Sequence, residues 1–296
     1  LGVDFSGDHA QWRASRRKSN VWIAEIGEHA GGLFLADLDR VQALPGTEGE
    51  LPFARLAARL RRRDFAAAAI DAPFSVPAAR VPEGGHAGLV TLVAGLDRGG
   101  RPFPTGRRLV QALDRNLPPR GRKEHRETER RWGVNVRSAL WNGPRGGAPM
   151  TAACLTLLAE VGGSVWPWTR CGPGLLVEAF PAAQLKRWGL PHQRYNGVEK
   201  TAKANRKRIL DGLDGRLLIA ALWRERVLES ADALDAVVCA FAARAVTEER
   251  LAQPPAGPWK EEGWIAVREA DAGMPRATPS GGGRISPEEG KPCARS

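Results

Sequence analysis

FAAAAIDAPFSVP, residues 65–77, is the stretch that decides the fold. Six apolar residues, Phe65 to Ile70, run without interruption into Asp71, and Pro73 stops the run. A short continuous apolar segment closed by proline reads as a strand buried on both faces, as in a sheet covered by helices. The pattern recurs in LGVDFSG (1–7), where Asp4 follows Val3, and in LLVEAFP (175–181), where Glu178 precedes Pro181. Between the first strand and residue 65, VWIAEIG (21–27) and GLFLADL (32–38) are separated by a turn carrying Gly27, Gly31 and Gly32. That spacing predicts a three-stranded antiparallel meander. Leu51, Phe53, Leu56, Ala57 and Leu60 recur at helical spacing, and the segment ends in arginines, which suit the negative end of a helix dipole.

Helical patterns are also expected at 105–115, 150–161, 198–212, 216–229 and 231–248, with EGWIAV (262–267) as a last strand. The stretch from about 75 to 167 lacks simple alternation and reads as a large, mainly helical insertion. Beyond Glu269 the composition turns to Gly, Pro, Ser and charge, which predicts a disordered tail over 269–296. The expected fold class is α/β. Residues 1–268 are expected to form a ribonuclease H-like mixed five-stranded sheet flanked by helices, with the insertion between strands 4 and 5.

A chain of 296 residues with 43% hydrophobic and 26% charged residues can bury its own core without disulfides or a structural metal. Its four cysteines have neither CxxC spacing nor the density of a disulfide scaffold, which fits a reducing, cytoplasmic setting. No apolar run is long enough to cross a bilayer, so no membrane association is expected. The net charge of +11 is concentrated: Arg98–Arg137 holds 12 Lys or Arg against 4 Asp or Glu, and Lys186–Arg208 holds 8 against 1. Such segments suit a polyanionic partner such as DNA or RNA, and they also fit an ordinary solvated surface.

The acids carry the chemistry. A charge inside an apolar strand must be paired, protonated or bound to metal, which marks Asp4 and Asp71. Turn capping by Asp4, a turn begun by Asp71 before Pro73, and a salt bridge from Glu178 to a basic neighbour are the plainer readings. In the late helix Ser230 is a candidate N-cap. Asp232 and Asp235 share one side, and Ala236, Cys239, Ala240 and Ala243 permit close approach to a sheet. Asp232 also suits the helix dipole. Two carboxylates about 4 Å apart repel by about 4 kcal/mol at an effective dielectric near 20, so a cluster of them needs a cation. With no HExxH or similar histidine pair, oxygen ligands and Mg²⁺ or Mn²⁺ are expected rather than zinc. Trp141, Trp166 and Trp168 are candidates for stacking on bases or, more plainly, for core packing.

GVDFSG, IDAPFSVP, VEAFPAA, DALDAVVCAFAAR and EGWIAV, in this order, resemble the family called domain of unknown function 429, a predicted nuclease group with a ribonuclease H-like fold. The resemblance spans residues 1 to about 268. It implies the catalytic set Asp4, Asp71, Glu178 and Asp235, with Asp232 as a further ligand. Ser6, Ser75, Arg126, Glu129, Lys200 and Lys203 are then expected substrate contacts. The expected function is a metal-dependent phosphodiesterase acting on nucleic acid. A non-catalytic nucleic-acid-binding or assembly protein, or a nucleotide-phosphate hydrolase suggested by DFSG, stands beside it.

Overall fold

The computed structural model describes residues 1–30, 32–114, 124–134, 136–143, 146–169, 172–252 and 257–270. The first three strands, β1 (Gly2–Asp4), β2 (Trp22–His29) and β3 (Gly32–Arg40), form the expected antiparallel meander. Helix α1 (Pro52–Arg61) leads into β4 (Ala67–Asp71), which pairs in parallel with β1. Between β4 and β5 (Leu175–Glu178) lie α2 (Gly85–Ala94), α3 (Gly106–Leu113), α4 (Glu127–Trp132) and α5 (Gly147–Val161). After β5 come α6 (Pro181–Arg187), α7 (Lys200–Leu213), β6 (Leu217–Leu218), α8 (Ala221–Glu229), α9 (Ala231–Thr247) and α10 (Trp259–Glu262).

The six strands make one mixed sheet in the order β5-β4-β1-β2-β3-β6, so the expected count of five is one short. The added strand is β6, two residues paired in parallel with Leu33 and Phe34 of β3. It occupies the start of the segment expected as helix 216–229, because docking on an open sheet edge outweighs the helical tendency of Leu217 and Leu218. EGWIAV is also corrected: residues 263–267 form no strand. They run past β5 with the Ala266 amide donating to the Glu178 carbonyl at 2.9 Å, and Arg268 bridges to Leu251. The expected tail, from residue 271 onward, lies outside the described residues.

Strand alternation sends successive side chains to opposite faces. Val3, Ala68, Ile70 and Leu176 pack with α1, α2, α3 and α5, so these helices share one core with the sheet. Ala67, Ala69, Leu175 and Val177 face the other way, onto α9. Helix α9 is buried along most of its length; Leu234, Val237, Val238 and Phe241 each contribute roughly 1.5–3 kcal/mol by leaving water. It crosses the sheet at close range. A Cβ on Gly2 would stand 2.0 Å from the Ala236 carbonyl oxygen and 2.4 Å from the Ala240 amide nitrogen, so β1 and α9 touch backbone to backbone. The small residues on α9 therefore do what their sizes suggest, and they fix the height of Asp235 above the sheet. Among the described residues no helix is long and apolar enough to cross a membrane.

Candidate metal centre

Parallel pairing of β1 with β4 sets Asp4 directly beside Asp71 in register, at the C-terminal ends of both strands. Gly2 and Ala69, two residues earlier in each strand, lie under α9, so alternation points both carboxylates toward the same helix. Ser230 caps α9, its hydroxyl accepting from the Ala233 amide at 3.2 Å, and the first turns of the helix bring Asp232 and Asp235 over the strand ends. Oxygen atoms of Asp4, Asp71 and Asp235 all lie within 4.8 Å of one another. Among the described residues no Lys or Arg forms an ion pair with any of the three.

The electrostatic consequence is large. Burial first, then Asp235, Asp232 and Asp71, push the Asp4 carboxyl well above its ordinary range. Asp71 is raised to about 7, by burial and then by Glu178. Asp235 is raised by burial and by Asp71, against the opposing effect of Tyr195, whose hydroxyl donates to Asp235 Oδ1 at 2.9 Å. Burial, followed by Asp71, Asp235 and Asp4, pushes the Cys239 thiol well up, so a neutral thiol adjoins the acids. Asp232 sits half-buried outside the close trio; burial raises it while Arg40 and Arg206 hold it down. The donor set suits a hard divalent cation: three oxygen ligands converge, their protons are held by mutual repulsion and burial, and among the described residues no Lys or Arg pairs with them.

Glu178 does not join them. By alternation with Val177 it takes the face of Leu176, outside the close trio, yet near enough to Asp71 to raise it and to border one hollow with it. There Arg126 Nη1 donates to Glu178 Oε2 at 2.8 Å, Nη2 donates to Oε1, and the Phe74 amide donates to Oε2 at 3.0 Å. Arg126 Nε also donates to Glu129 Oε1 at 2.9 Å. Arg126 is 1% exposed, and burial disfavours its charge, but Glu178 and Glu129 outweigh that cost and hold it firmly protonated. The salt-bridge reading of Glu178 is thus the one realised. Arg126 and Glu129, expected as substrate contacts, lie in a buried clamp that holds the loop after β4, α4 and β5 together.

The remaining expected contacts scatter. Ser6 is buried, its Oγ accepting from the Asp8 amide and its carbonyl from the Trp12 indole. Ser75 is fully buried and donates to the Glu261 carbonyl at 3.3 Å. Lys203 pairs with Glu229 on the surface, and Lys200 is exposed at the start of α7. Trp166 is buried, and Trp168 stacks on His86 at 3.5 Å while donating to the Lys260 carbonyl. Both serve packing. Much of the basic charge is spent locally, in Arg98–Glu160, Arg108–Asp97, Arg187–Glu269 and Lys207–Asp211.

Tyr195 is the residue that the sequence patterns do not mark, and its one signal is its singularity, as the chain has one tyrosine. It is 6% exposed, and Arg206 fixes its backbone, with Nη1 donating to the carbonyls of Tyr195 and, at 2.9 Å, Gly197. A cleft of about 410 Å³ opens beside it, lined by Asp71, Asp235, Tyr195, His192, Arg194 and Phe180 among others. A second hollow of about 190 Å³, also bordered by Asp71 and Phe180, reaches the Arg126–Glu178 pair.

No curated protein and no solved structure shows a significant match to the chain. One family model, described as "Protein of unknown function (DUF429)", matches residues 2–259. That span takes in both strand-end aspartates, the tyrosine loop and all of α9, and the chain belongs to this family.

Proposed function

We propose that the protein is a metal-dependent phosphodiesterase acting on nucleic acid, built on a ribonuclease H-like core with the segment between β4 and β5 as its helical insertion. The observation that carries the proposal is the trio of uncompensated carboxylates within 4.8 Å on β1, β4 and α9. The strand order β5-β4-β1-β2-β3, with a meander on one side and parallel strands on the other, supports the core assignment. Asp4, Asp71 and Asp235 would hold one or two Mg²⁺ or Mn²⁺ ions, with Asp232 close enough to add to the negative field. When bound, such ions lower the pKa of water and stabilise charge on the leaving oxygen.

The chain's own groups do the rest. Tyr195 fixes the rotamer of Asp235 by donating to one of its oxygens and leaves the other free to bind. Asp71, raised to about 7, holds a proton in mildly acidic solution and gives it up as a cation approaches. The cleft beside Asp71 and Asp235 is open to solvent-borne substrate, and Phe180 forms part of its wall. Free, buried Cys154 and Cys239 fit a reducing, cytoplasmic setting.

The test is cleavage of labelled single-stranded and duplex DNA and RNA by purified protein with Mn²⁺, Mg²⁺ or chelator. Metal-dependent cleavage that Asp4→Asn abolishes is the expected result. Cleavage undiminished in Asp4→Asn, or none of any substrate with metal demonstrably bound, refutes the phosphodiesterase reading.

A further inference from the structure

The segment joining α6 to α7 is built as a rigid platform beside the acids. Three of its carbonyls are tied to α7: Arg194 accepts from Asn205 Nδ2 at 3.1 Å, and Tyr195 and Gly197 accept from Arg206. Its buried Tyr195 is tied to α9 through Asp235. Arg194, between these anchors, has a φ of 55°, a left-handed conformation that strains a non-glycine residue. It is exposed and lines the 410 Å³ cleft together with Asp71 and Asp235. Among the described residues its guanidinium makes no ion pair, although two carboxylates border the same cleft.

An arginine that shares a cleft with acids, and yet is kept from them by an anchored backbone, is left available to an anion lying between. The geometry points to Arg194 as the phosphate-binding residue of this cleft, engaging the non-bridging oxygens of a nucleic-acid phosphodiester next to Asp71 and Asp235. His192, Gln193 and Asn196 border the adjoining space and carry N–H donors for the flanking sugar-phosphate. A planar guanidinium matches two phosphate oxygens at once, which a lysine does not. The cleft is of a size that encloses one nucleotide unit rather than a duplex, so the ligand is a single strand or a strand end. This inference rests on the phosphodiesterase reading for its ligand class, and the experiment separates the two.

Binding of a fluorescein-labelled single-stranded oligonucleotide is followed by anisotropy in Ca²⁺, which replaces Mg²⁺ without supporting turnover, while Ca²⁺ affinity is measured by calorimetry. Arg194→Gly removes the guanidinium and accepts the φ of 55° without strain, so its folding is secure. The expected result is oligonucleotide binding weakened by about tenfold or more in Arg194→Gly, and restored only in part in Arg194→Lys, with Ca²⁺ affinity unchanged. A free-phosphate site would show instead as inorganic phosphate displacing the oligonucleotide at equal concentration, and that result overturns the nucleic-acid assignment. Equal oligonucleotide binding by wild type and Arg194→Gly, or none by either, overturns the subsite whatever the metal does. Arg194-dependent binding with no Ca²⁺ taken up supports the subsite and refutes the metal centre.

Discussion

Replacing Asp71 by asparagine is expected to stabilise the metal-free protein. Burial and Glu178 raise the carboxyl to about 7 in the fold from an ordinary 3.8, which corresponds to about 4 kcal/mol. Because the folded value is the higher one, the native state binds the extra proton between these pH values. Stability conferred by the neutral acid is complete below about pH 4 and is lost as pH rises through about 7. The Asp71→Asn variant would escape that loss, less a desolvation cost of about 1–2 kcal/mol for its amide, leaving a net gain of about 2 kcal/mol at pH 7.5. Urea denaturation in EDTA reads it directly: the variant's midpoint lies above wild type at pH 7.5, and the advantage disappears near pH 4.5. Excess Mn²⁺ reverses the order, since wild type alone gains about 2.7 kcal/mol at a hundredfold excess over its dissociation constant. A variant that is less stable than wild type by the same margin at both pH values, in chelator, would show that the apo carboxylate is already satisfied, and the reasoning from repulsion would fall.

Two further substitutions test the supports of the site. Tyr195→Phe loses the hydrogen bond to Asp235 and keeps the ring, so Mn²⁺ affinity by calorimetry should fall about tenfold or more with the melting temperature nearly unchanged. Arg126→Leu leaves Glu178 and Glu129 buried without their cation; a loss of about 3–5 kcal/mol in urea unfolding is expected, and a change below about 1 kcal/mol would contradict the clamp role.

The sequence displays the trio well because each member sits in a pattern with a physical cause. Asp4 and Asp71 end apolar strands where a charge is out of place, and Asp235 follows a capped helix start on a helix whose small residues permit backbone contact with Gly2. Glu178 shows the limit of the same logic. It also ends an apolar strand, but which face it takes depends on its pairing with Ile70, and a shift of one residue exchanges the faces of a strand. The register lies in tertiary packing, not in the four residues of β5. Tyr195 and Arg194 sit in an irregular segment with no periodicity, where position is set by anchoring to Asn205 and Arg206 on a different element. Strand β6 is legible only once the edge of β3 exists to receive it.

The most direct measurement is an anomalous difference map from a crystal of this protein grown or soaked with Mn²⁺. The account predicts a peak touched by carboxylate oxygens of Asp4, Asp71 and Asp235, and its loss in Asp4→Asn. Well-ordered acids with no peak between them at millimolar Mn²⁺, or manganese bound elsewhere, would contradict it.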